Sequence, residues 1–71
     1  MNREMQVRHL EEAERHVVLG ERHIADQERR VAELDRGGHD TTDARRLLDN
    51  FRSLQEQHIE HRDRLLRELE P

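Results

Sequence analysis

The chain has no cysteine, tryptophan or tyrosine, one phenylalanine, one proline and three glycines in 71 residues. Without thiols there is no disulfide, no thiolate metal site and no cysteine nucleophile. No stretch of about 18 apolar residues occurs, which excludes a helical membrane span. The residues from Asn2 to Arg8 lead straight into the first repeat with no charged-then-apolar leader, so a cytoplasmic protein is expected. Charge of one sign is missing too. Thirteen basic and seventeen acidic residues leave a net charge of −4 with the histidines neutral, and the two signs are interleaved. That pattern makes no basic face and argues against nucleic acid as a partner.

Few aromatics and 42% charged residues would ordinarily suggest disorder. Periodicity reverses that reading. Arg8-His9-Leu10 to Glu14, Arg15-His16-Val17 to Glu21, Arg22-His23-Ile24 to Glu28 and Arg29-Arg30-Val31 to Asp35 repeat arginine, histidine or arginine, an apolar residue, three free positions and an acid. A strict period of seven marks a helix that keeps one stripe against a partner helix.

The strong breaks are Gly37-Gly38 and Pro71. They divide the chain into a first helix over about 3–36, a turn at 37–41 and a second helix over about 42–70. Gly37 is expected to take the left-handed cap, and Asp40 or Thr41 to accept from the free amides of the second helix. The first seam reads Leu10, Ala13, Val17, Gly20, Ile24, Gln27, Val31 and Leu34. The second reads Ala44, Leu47, Leu48, Phe51, Leu54, His58, Leu65 and Leu69. So short a turn forces the helices antiparallel. The expected fold is a single all-α domain over 1–71, an antiparallel two-helix hairpin of coiled-coil type.

A lone hairpin of this size encloses almost no core, and below about 70–80 residues oligomerisation is a common remedy. Homodimerisation into a four-helix bundle is therefore expected. Val18, Ala25, Leu48, Ile59 and Leu66 lie beside the narrow seam and are the expected interface.

Pairing through the turn sets Gln27 opposite Phe51, Ile24 opposite Leu54 and Gly20 opposite His58. This middle layer is polar. Gly20 costs roughly 1 kcal/mol relative to alanine in a helix, and the room it leaves lets an imidazole enter or the backbones approach. Gln27, Gln55, His58 and Glu21 then form a buried polar layer that fixes register, as polar seam residues do in coiled coils. This structural layer is the preferred reading, and it needs no cofactor. The alternative is zinc or another transition metal held by His58, Glu21 and either His16 or His23, with His61 optional. Neither H-E-x-x-H nor the Glu-x-x-His of di-iron bundles is present, since Gln55 stands where the acid would precede His58.

His9, His16 and His23 form a ladder along one flank. A pH-sensing role competes with a half-exposed flank that covers the seam, with Glu12 able to pair with His16. The arginine column is matched by acids at helical spacing and reads as solvent-facing ion pairs. Thr41, Thr42 and Ser53 have no neighbouring acid–histidine pattern, so no enzyme is expected.

The strings Gly20-Glu-Arg-His-Ile-Ala-Asp-Gln27 and Gly38-His-Asp-Thr-Thr-Asp-Ala-Arg-Arg-Leu-Leu-Asp-Asn-Phe51, followed by Gln55 and His58, resemble a group of small, mainly alphaproteobacterial proteins with no assigned activity. Gly20, Glu21, His23, Gln27, Gly38, Phe51, Gln55 and His58 match positions of the shared pattern. The resemblance implies a natural helical hairpin and no particular chemistry. The expected role is that of a non-enzymatic structural or interaction protein. The alternatives are a small metal-binding bundle and a module that lends its apolar stripe to a helical protein partner.

Overall fold

The computed structural model describes residues 2–71, which form two antiparallel helices, α1 (Arg3–Arg36) and α2 (Thr42–Leu69). Together they make a rod 54 × 14 × 14 Å. Asn2 starts α1 by accepting from the Glu4 amide at 2.8 Å, which satisfies one of the free donors of the first turn. No described helix is long and apolar enough to cross a membrane.

The end of α1 is a Schellman closure. His39 N–H donates to Leu34 O at 2.9 Å and Gly38 N–H to Asp35 O at 3.1 Å. The left-handed residue is Gly38, at φ 72°, whereas Gly37 keeps φ −80° in the right-handed region. This corrects the sequence expectation by one residue, because the chain needs one more helical step before it reverses. The Asp40 carboxylate then accepts from both the hydroxyl (2.7 Å) and the amide (2.9 Å) of Thr42. These bonds favour its ionised form and hold its pKa below the usual carboxylate range. Thr41 spends its hydroxyl on Arg45 Nε, at 2.9 Å, so Asp40 starts α2.

All eight seam residues expected on α1 are buried or half-buried. The seam of α2 differs. Ala44, Leu48, Phe51, Gln55, His58, Arg62, Leu65 and Leu69 face α1, alternating in steps of four and three. Leu47 and Leu54, expected inside, are 42% and 49% exposed. The physical reason is phase. A helix can keep only one stripe against its partner, and the stripe through Ala44, Leu48 and Leu65 carries Gln55 with it.

Register also differs from the expectation, by about one turn. Gly20 lies against Gln55 rather than His58, and Gln27 reaches Ala44 rather than Phe51. The buried apolar set is small: Ala13, Val17, Val31, Leu48 and Leu65. Leu48 is therefore enclosed within the hairpin and offers no surface to a second copy.

Candidate functional site: a polar layer beside an imidazole and leucine flank

Two glutamines clamp the helices reciprocally. Gln55, 6% exposed, donates from Nε2 to Val17 O at 2.8 Å, and Gln27 donates from Nε2 to Ala44 O at 2.9 Å. Each helix thus spends one side-chain amide on a backbone carbonyl of the other. Gly20 makes the first bond possible. A Cβ at that position would land on Gln55 Oε1, so the missing side chain is the notch that seats the glutamine. That oxygen is buried and finds no donor among the described residues. An unmet acceptor of this kind costs about 1–3 kcal/mol. The notch therefore stabilises one register through the Nε2 bond and leaves one acceptor unmet in doing so.

The two flanks of the hairpin differ in chemistry. Heptad spacing puts Glu14, Glu21 and Glu28 of α1 on the same side as Arg45 and Arg52 of α2. Arg52 Nη2 meets Glu28 Oε2 across the helices at 3.3 Å. Val18, Ala25, Ile59 and Leu66 belong to this charged flank, where Arg62 also turns to its neighbour Asp63, at 2.9 Å.

The opposite flank carries His9, His16 and His23 from α1 with Leu47, Leu54 and His61 from α2. Leu19 stands beside them, 45% exposed. Three connected open grooves run along it. One of about 280 Å³ is lined by His9, Glu12, Ala13, His16 and His61. The next, about 210 Å³, lies between Leu19, Gly20, His16, His23 and His58. The third, about 80 Å³, adds Phe51 and Leu54 to Gly20, His23 and His58. A larger opening, about 410 Å³, sits on one helical turn at Arg3, Glu4, Val7 and Arg8, where no second wall carries any chemistry.

Of the expected ligands, His16 and His58 come together, with ring centres 5.4 Å apart and planes tilted by 59°. His23 packs instead on Phe51, 5.8 Å between ring centres. His61 opens on the groove it shares with His9 and His16. Glu21 is exposed on the charged flank, away from these imidazoles, so it joins neither the buried layer nor a shell around His58. Glu12 takes the acidic place instead, with Oε1 3.9 Å from His16 Nε2. Among the described residues no group of three or more histidine, cysteine, aspartate or glutamate side chains is arranged to hold a metal ion. No family model, curated protein or solved structure matches the chain.

The contact between Gly20 and Gln55 was the feature hardest to read from sequence. Its signal is that Gln55 keeps strict step with Leu48, Phe51 and His58, while the more apolar Leu54 does not.

Proposed function

We propose that this is a non-enzymatic structural or interaction protein that works as a homodimer, two hairpins docking through the imidazole and leucine flank into a four-helix bundle. The observation that carries this reading is the exposure of Leu19, Leu47 and Leu54 on one side that has no fixed charge at its centre. Between Glu12 and Asp26 on α1, and from Leu47 to His61 on α2, the flank positions hold only leucine, histidine, asparagine and glutamine. Interface centres are depleted of charge and enriched in aromatic and apolar groups.

The extent of bare surface supports the same reading. A compact monomer of 8.6 kDa exposes about 4700 Å² by the usual size scaling. This chain exposes 5585 Å². The excess, about 900 Å² by that scaling, comes from the elongated 54 × 14 × 14 Å rod, which leaves one side of each helix bare and available to a second copy. This face is preferred to the one expected at Val18, Ala25, Ile59 and Leu66, where Val18 and Leu66 are also exposed, because glutamates and arginines are interspersed along the charged flank. Desolvating them on docking is costly unless each finds a partner.

Light scattering after size exclusion tests the proposal. A mass twice the 8.6 kDa of the chain, falling towards one chain on dilution, is expected. A single-chain mass at every concentration overturns it and favours a module that lends the flank to another protein's helix.

A further inference from the structure

The pairing of His16 with His58 assigns a use to the flank beyond adhesion. We propose that the two imidazoles are one half of a zinc-class metal site, completed by the same two residues of a second copy. This rests on the self-association proposed above.

The spacing is the first argument. Zinc binds an imidazole nitrogen at about 2.0–2.1 Å, and the ring centre lies about 1.1 Å behind that nitrogen, so two tetrahedral ligands have ring centres about 5.2 Å apart. His16 and His58 stand at 5.4 Å with their planes tilted rather than stacked. They come from different helices, so the seam itself holds them together. Gly20 opens the groove at their side, leaving about 210 Å³ lined also by Leu19 and His23.

Incompleteness is the second argument. Two ligands do not make a zinc site, which takes four protein ligands when structural. One chain supplies no third group near enough among the described residues. A two-fold axis running along the bundle, with both turns at one end, sets each layer of this flank against its own copy. It brings two more imidazoles to the same height and closes a four-histidine shell. Imidazole suits zinc, copper, nickel and iron, and a tetrahedral nitrogen set favours zinc among them.

The surroundings agree. Glu12, 3.9 Å from His16, places a carboxylate beside that ring, and closing the gap by a rotamer change would let it accept from the ring N–H as carboxylates do behind ligating histidines. The nearby cation is neutralised: Arg62, one turn beyond His58, is held by Asp63 through both Nε (3.0 Å) and Nη2 (2.9 Å). Leu19 and Leu54 then wall the ion from water once the second copy is in place.

Zinc chloride added to chelator-treated, untagged protein tests this, with dimer dissociation followed by sedimentation equilibrium. The site predicts saturation at one zinc per two chains. With zinc about a hundred times above its Kd, the dimer tightens by about a hundredfold through linkage alone. His16→Gln and His58→Gln should each lose that response, their dimer constants becoming the same with and without zinc, while keeping the helical spectrum of the unaltered chain. His39→Gln, in the turn, should keep the response. A dimer that forms equally with and without zinc overturns the metal site and leaves self-association standing. A monomer under both conditions overturns both. Saturation at another ratio, or a response lost in His61→Gln and kept in His58→Gln, also refutes the assigned shell.

Discussion

The two flanks of this hairpin are built from the same repeat and do opposite things. On one side Glu14, Glu21 and Glu28 share a flank with Arg45 and Arg52, and Val18 and Leu66 stand exposed among these charges. On the other side the heptad places that flank the seam hold histidine, and leucine stands across from it. The charged flank keeps its charges in water, and the ion pair between helices there, Glu28 with Arg52, lies half exposed at 3.3 Å. Both flanks leave apolar side chains uncovered, but only the imidazole and leucine flank does so without fixed charge at its centre. Chemistry at the flanks, rather than in the thin seam between them, therefore decides what a second helix can touch.

The seam nevertheless decides whether either flank exists, and the largest expected effect lies there. Gly20→Ala improves helix propensity by roughly 1 kcal/mol, yet its methyl would occupy the seat of the Gln55 amide. Urea unfolding followed by circular dichroism should show a net loss of about 1–3 kcal/mol, through overpacking and an evicted buried amide. In a Gln55→Ala background the same change should turn neutral or stabilising. If Gly20→Ala is stabilising in both backgrounds, the notch does not set the register.

A smaller effect sharpens the contrast from the charged side. Removing Arg52 should cost about 0.2–1 kcal/mol in the same measurement, and less in high salt, as for an exposed ion pair. A loss above this range would make the charged flank part of a buried surface.

The smallest effect belongs to the turn, which both flanks share. Asp40 is fully exposed, and its pKa is lowered by the Thr42 hydroxyl first and the Thr42 amide second. A carboxylate with a depressed folded pKa contributes stability above its unfolded pKa, about 3.9. That contribution fades as pH falls through the lower folded value. Asp40→Ala should therefore lower Tm slightly at neutral pH and converge with the unaltered chain in acid. A difference that grows on acidification would contradict the cap.

Much of this was legible in the residues. The period of seven marked α1 and its whole seam from Leu10 to Leu34, because nothing competed with that stripe. Gly37-Gly38 marked the reversal to within one residue. On α2 the hydrophobic residues misled: Leu47 and Leu54 are as apolar as Leu48, and only phase tells which of them faces inward. Register was not legible from the length of the turn, because it is fixed by a side chain entering a notch, Gln55 at Gly20. The Glu12–His16 pair was legible from their i, i+4 spacing, whereas Glu21, expected beside His58, lies exposed on the other flank.

One pair of variants weighs the central claim most directly: the solution mass of Leu54→Glu beside that of Val18→Glu, each measured by light scattering over a dilution series. The account predicts that a glutamate at Leu54 reduces the protein to single chains, while one at Val18 leaves the dimer constant unchanged. Dissociation by Val18→Glu, with Leu54→Glu still dimeric, would show that the copies meet on the other flank.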